Sequence, residues 1–191
     1  MSRIQGIVMD LDGTLVHSPL NFDSIRRELG IKSGEGILEA IDRMTEDSAK
    51  QTHERLADFE WQAARGSKRI EGVWEFFQEA RSRDQFLGVF TRNSRPIAEF
   101  ILKENGLEVD VLVAREDAPP KPDPVGLLKI CDLWGLSREE VIYIGDYLYD
   151  VEAGERAQIE TWLFSPAQKP NYHHRAHRVF SSYEELSRLA W

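Results

Sequence analysis

Residues Ile4 to Thr14 read IQGIVMDLDGT. The apolar run Ile4 to Met9 is continuous and stops abruptly at Asp10, the pattern of a strand buried on both faces. Two more runs share it: Phe86 to Phe90 (FLGVF), ending at Thr91, and Val141 to Gly145 (VIYIG), ending at Asp146. Weaker strand candidates are Val109 to Ala114, Ile159 to Phe164 and Arg178 to Phe180.

Helical patterns lie between these runs. Glu71 to Arg83 sets Val73, Trp74, Phe76, Phe77 and Ala80 on one stripe. Ser94 to Asn105 has an N-cap candidate in Ser94 and a stop at Gly106, and Val125 to Trp134 stops at Gly135. Ser137 to Glu140 is a capping-box pattern. Tyr147 to Ala157 and Tyr183 to Leu189 complete the set. Strand alternating with helix predicts an α/β fold, a doubly wound parallel sheet covered on both faces. From His17 to Lys68 the alternation fails. Phe22, Ile25 and Leu29 share one helical stripe, Ile37, Leu38, Ile41 and Met44 a second, and Leu56, Phe59 and Ala63 a third. This predicts a helical insert in the loop leaving the first strand, where an insert is well placed to cover a site.

The 191 residues carry a net charge of -9, with 41% hydrophobic and 30% charged residues. That balance is ordinary for a globular chain and lacks the basic face that nucleic acid or an anionic membrane needs. The apolar runs are far shorter than the roughly 20 residues that span a bilayer. The N-terminal run is short and ends in carboxylates, unlike a signal peptide. With Cys131 as the single cysteine, an internal disulfide is excluded and a cytoplasmic location is expected.

In open parallel sheets, ligands bind outside the carboxyl ends of the strands. A polar residue at one strand end is commonplace; Asp10, Thr91 and Asp146 at three ends, each with a distinctive flank, are not. Asp10 and Asp12 can aim at one small volume if Gly13 lets the chain bend and offers its N–H to an anion. Thr91, Arg92 and Asn93 supply a hydroxyl and loop amides before a helix N-terminus, a good place for phosphate. Lys121 lies among Pro120, Pro122 and Pro124 and suits a fixed cation. Gly145, Asp146 and Asp150 put two more carboxylates at the end of one strand.

This arrangement resembles the haloacid dehalogenase-like superfamily. Asp10 to Thr14 fits DxDGT, Thr91 the hydroxyl residue ending the next core strand, Lys121 the loop lysine, and Gly145 to Asp150 the GDxxxD signature, all in the family's order. Ile70 to Val73 (IEGV) also resembles the usual entry to the following helix, whereas Tyr147 stands where many members carry a small hydroxyl residue. The resemblance implies a Rossmann-like core over 1–16 and 69–191 with a small helical cap over 17–68, in the phosphatase branch near phosphoglycolate phosphatases. It implies Asp10 as nucleophile and Asp12 as acid and base. Thr91, Lys121, Gly13, Arg92 and Asn93 would contact the phosphoryl group. Magnesium would sit on Asp10, the Asp12 carbonyl and Asp146, with Gly145 and Asp150 in support. The substrate would be a small phosphorylated metabolite, with neither nucleic acid nor membrane as a partner.

Elementary electrostatics agrees. Four carboxylates and a phosphate dianion repel, and a hard divalent cation with oxygen ligands resolves the conflict. Dehalogenation has no use for an acid at Asp12. A phosphomutase, or a non-catalytic phosphate-binding regulatory domain, fits the same fold, although the intact carboxylate set favours catalysis. Other features read more simply. His173, His174 and His177 lack a partner cluster and read as structural or solvated. Arg26, Arg27, Arg65, Lys68 and Arg69 read as solvated helix charges. Trp61, Trp74, Trp134 and Trp162 read as core or interface, and Gly34 to Gly36 as a turn between insert helices.

Overall fold

The computed structural model describes residues 4–187, so the expected end of the last helix at Leu189 lies outside the described residues. These fall into two compact units, one built from the chain up to His17 and from Lys68 onward, the other from Ser18–Ser67.

In the first unit, β1 (Gly6–Met9) is followed by the short β2 (Val16–His17). The second unit contributes α1 (Phe22–Leu29), α2 (Ile37–Ile41) and α3 (Glu46–Arg65). The chain re-enters the first unit at β3 (Lys68–Arg69), antiparallel to β2, then continues through α4 (Val73–Ser82), β4 (Phe86–Phe90), α5 (Arg95–Glu104) and β5 (Val111–Val113). The remainder is α6 (Val125–Trp134), β6 (Val141–Gly145), α7 (Leu148–Ala157), β7 (Glu160–Phe164), β8 (Arg178–Phe180) and α8 (Tyr183–Ser187).

Among the described residues, six strands form one parallel sheet in the order β5-β4-β1-β6-β7-β8. Successive connections run one way from β1 and then the other, so the topological switch point falls at β1. The expected doubly wound sheet is therefore the observed one. Val8, Phe90, Val113, Val141 and Tyr143 pack with Leu127, Ile130 and Cys131 of α6 and with Ala153 and Ala157 of α7. On α8, Tyr183 meets Phe76 of α4 edge-on, ring centroids 5.3 Å apart. Burying each large apolar side chain of this kind contributes about 1.5–3 kcal/mol. Val73, Phe76, Phe77 and Ala80 form the buried face of α4 at helical spacing. Trp74 falls beside that face, stays 41% exposed and lies under the Arg69 guanidinium, so it is not a core residue. Ser94 takes the N-cap position of α5 without a side-chain capping bond, while Ser137 and Glu140 do form their capping box.

In the second unit, Asn21 caps α1 by accepting the Ser24 N–H at 2.9 Å, and Gly30 ends it with φ 71°. Ile25, Leu29, Ile37, Leu38, Ile41 and Leu56 make its core. Phe22 opens α1 but remains exposed, so the buried stripe starts one turn later. No helix among the described residues is long and apolar enough to cross a membrane.

Candidate active site

The register of the sheet brings the three strand ends together. Met9 pairs with Val89 on one side and Ile144 on the other, so Asp10 emerges between the ends of β4 and β6. The Asp10 N–H still donates to the Ile144 carbonyl at 2.9 Å, and the Thr91 N–H to Val113 at 3.0 Å. The loop after Asp10 then folds back. Leu15 and Val16 both donate to the Leu11 carbonyl, and Gly13 donates to Val16 at 2.8 Å. Gly13 has φ 78°, and a Cβ there would stand 2.3 Å from an Asp146 carboxylate oxygen. Glycine is needed both for the turn and for the close approach.

Lys121 is 2% exposed, and its ammonium lies 2.6 Å from Asp10 and 2.7 Å from Asp150. Asp150 accepts two further bonds, from the Tyr143 hydroxyl at 2.6 Å and the Tyr147 N–H at 3.0 Å. It packs over Gly145, where a Cβ would fall 2.3 Å from the Asp150 Cβ. Oxygens of Asp10, Asp146 and Asp150 lie within 4.8 Å of one another. The Thr14 hydroxyl donates to Asp146 at 3.3 Å, and the Asn93 amide donates to the Asp12 carboxylate. The Thr91 hydroxyl accepts the Asn93 N–H at 3.1 Å.

The charges feel this crowding. Burial, with the charges of Asp150 and Asp12, lifts the Asp10 carboxyl to about 7 despite the Lys121 ammonium. Burial also raises Asp146 well above the usual carboxylate range, with Asp150 and Asp10 adding to it. Burial alone would lower Lys121, but Asp10 and Asp150 outweigh it and hold the ammonium above its ordinary value. The Tyr143 phenol is raised by burial and then by Asp150. A deficit of positive charge among hard oxygen donors is the condition a small divalent cation relieves.

A profile of haloacid dehalogenase-like hydrolases matches residues 7–164. The chain belongs to this family. Among its relatives is a haloacid dehalogenase-like hydrolase domain-containing protein of Arabidopsis thaliana, 31% identical and covering 85% of this chain and 71% of its own. A phosphoglycolate phosphatase of Synechococcus elongatus is 27% identical over 86% of this hydrolase and 87% of its own length. The fold is shared with a solved hydrolase from Pseudomonas syringae at a TM-score of 0.82, with 20% identity and coverage of 98% and 100%.

Within this hydrolase, Lys121 joins Asp10 and Asp150 with Asp146 close by, and Asn93 joins Asp12 to Thr91, both sets at the carboxyl end of the sheet. Arg92 departs from it: its guanidinium donates to the Lys121 carbonyl at 3.1 Å and lies 5.0 Å over the Tyr149 ring. Two contributors escape sequence reasoning. Tyr143 sits inside an apolar strand, where its hydroxyl alone hinted at a buried partner. Tyr183 donates its hydroxyl to the Thr14 carbonyl at 2.9 Å, tying α8 to the loop after β1. Elsewhere, His177 accepts the Thr161 N–H at 3.0 Å, a structural role.

Proposed function

We propose that this hydrolase is a magnesium-dependent phosphatase that cleaves a small organic phosphate monoester through an aspartyl-phosphate on Asp10. The observation that carries this reading is Lys121, buried between Asp10 and Asp150 with Asp146 close by. Magnesium would be held by Asp10, Asp146 and the Asp12 carbonyl, a set of hard oxygen donors that suits it. When bound, it supplies the positive charge that lets a phosphate dianion approach these carboxylates. Asp150, already committed to Lys121, Tyr143 and the Tyr147 N–H, takes the supporting role.

An Asp10 carboxylate oxygen attacks phosphorus, and the bond from phosphorus to the leaving oxygen breaks. That oxygen keeps the electron pair and takes a proton from Asp12, which the Asn93 amide holds in place. Asp12, now a carboxylate, accepts a proton from water as the water oxygen attacks phosphorus. The bond from phosphorus to Asp10 then breaks, releasing inorganic phosphate and restoring the carboxylate. Splitting one displacement into two lets a single carboxylate pair serve both halves. The Thr91 hydroxyl, the Lys121 ammonium and the Arg92 N–H bind phosphoryl oxygens; the Gly13 and Asn93 N–H groups join them by exchanging their partners, the Val16 carbonyl and the Thr91 hydroxyl. Gly145 makes room for Asp150. We assign the helical unit Ser18–Ser67 to substrate selection as a cap, on its point of insertion between β2 and β3. The buried Cys131 suits a cytoplasmic setting.

The test is hydrolysis of p-nitrophenyl phosphate. Turnover should require added magnesium, vanish in EDTA and return poorly with calcium, whose larger, looser shell misplaces the nucleophile. Undiminished turnover in chelator would refute the reading.

A further inference from the structure

Beside the carboxylates stands a group of aromatic side chains with no part in the steps above. Tyr147 directly follows Asp146 and is 53% exposed. Its ring meets Tyr149 edge-on with centroids 5.3 Å apart, and Tyr172 at 6.4 Å and 75°. Tyr149 lies under the Arg92 guanidinium. Tyr172 lies near enough to Asp146 to feel that carboxylate.

Helix capping does not account for the tyrosine. Asp150 caps the start of α7 through the backbone N–H of residue 147, a bond that any residue but proline would provide. Core packing does not account for it either, since half of the side chain faces water. What position 147 adds is an aromatic surface held by two other rings, one residue from a carboxylate that the proposed reaction uses. With about half of Tyr147 exposed, part of its side chain is open to contact with a further ring. Four carboxylates share this end of the sheet, so a second anionic group on the substrate would add repulsion, whereas a neutral ring would not.

Resting on the phosphatase reading, we infer that Tyr147, held by Tyr149 and Tyr172, receives a planar aromatic ring carried by the leaving group. The substrate class is then an aromatic-ring-bearing phosphate monoester. Tyr147 acts as a specificity residue that positions this ring and takes no part in the chemistry.

The test compares benzyl phosphate with cyclohexylmethyl phosphate. Both release a primary alcohol and carry one phosphoryl group; they differ in the flatness and π-system of the ring. The wild type should favour benzyl phosphate by roughly three- to tenfold in kcat/KM, mainly through KM. Tyr147→Ser should bring the ratio close to unity, and Tyr147→Phe should retain it. The ratio is internal to one enzyme sample, so a partly unfolded variant does not distort it. Equal rates on the two esters in the wild type, or an unchanged ratio in Tyr147→Ser, would overturn the inference and leave the phosphatase standing. Failure of the wild type to hydrolyse either ester or p-nitrophenyl phosphate with magnesium would remove the phosphatase reading, and this inference with it.

Discussion

At the carboxyl end of the central sheet, glycines make room for charge; from the amino end to mid-strand, they make room for an indole ring. Gly13 and Gly145 admit Asp146 and Asp150 to positions that a Cβ would occupy. Gly6 and Gly88 lie beneath Trp134, where an added Cβ would fall 2.7 Å and 2.9 Å from ring carbons, and Phe86 stacks on the same ring at 19°. The local device is the same and its content is opposite. A glycine beside a strand reports close approach, and the group that fills the space decides whether the approach serves chemistry or packing. The carboxyl end holds repelling carboxylates around a buried ammonium, an arrangement that costs stability in isolation. The amino end buries apolar surface without charge repulsion; its cost is the Trp134 indole N–H, buried with no hydrogen-bond partner among the described residues.

Substitutions should separate the two ends. The largest effect belongs to Asp10→Asn, which replaces the nucleophile with an amide. Turnover of p-nitrophenyl phosphate should fall by at least roughly 10⁴-fold while the thermal midpoint holds or rises, because one repelling carboxylate is gone. Loss of folding in this variant would make Asp10 a structural residue first. Next comes Gly145→Ala, which pushes on Asp150 and through it on Lys121 and Asp10. A shift near 1 Å in a catalytic group costs about 10²-fold, so kcat should drop on that scale. Gly88→Ala makes the contrasting overpacking against Trp134. It should lose about 1–3 kcal/mol in chemical denaturation with kcat/KM of the folded enzyme unchanged. If Gly88→Ala impaired kcat as much as Gly145→Ala did, the division between the ends would fail.

Much of this contrast is legible in the sequence. An apolar run that halts at a polar residue marks both a buried strand and its carboxyl end, so Asp10, Thr91 and Asp146 identify themselves. Lys121 is legible through its order in the chain relative to them. Contacts between distant segments are not. The Tyr143 hydroxyl lies inside an apolar run and meets Asp150 only because β6 and α7 fold back on each other. Tyr183 reaches Thr14 across most of the chain. Arg92 and Asn93 stand in the loop before α5, but no spacing rule turns the Arg92 guanidinium toward Tyr149 or the Asn93 amide toward Asp12. Trp74 and Phe22 show the opposite failure: helical stripes are wide, and residues at a stripe's edge or first turn stay exposed.

The smallest expected effect is a control at the carboxyl end itself. Asp117 lies past β5. Burial would raise its carboxyl, but the Ala114 N–H and Arg95 outweigh burial and hold it below the ordinary value of 3.8. A lowered folded-state pKa stabilises the fold above the unfolded value, and that contribution disappears as pH falls through the folded one. Asp117→Asn should therefore lower the midpoint slightly at neutral pH and flatten its acid dependence below about pH 4. Activity should be untouched. An unchanged acid dependence would show that Asp117 gains nothing from these partners.

The most direct test of the central claim is to find the phosphoryl group on the protein. Asp12→Asn should still form the aspartyl-phosphate from p-nitrophenyl phosphate, whose leaving group needs no acid, but should hydrolyse it slowly. After acid quenching during turnover and digestion, mass spectrometry should find a phosphoryl adduct on the peptide that carries Asp10, and none in Asp10→Asn. A phosphoryl group on any other residue, or continued turnover by Asp12→Asn with no adduct, would contradict the account.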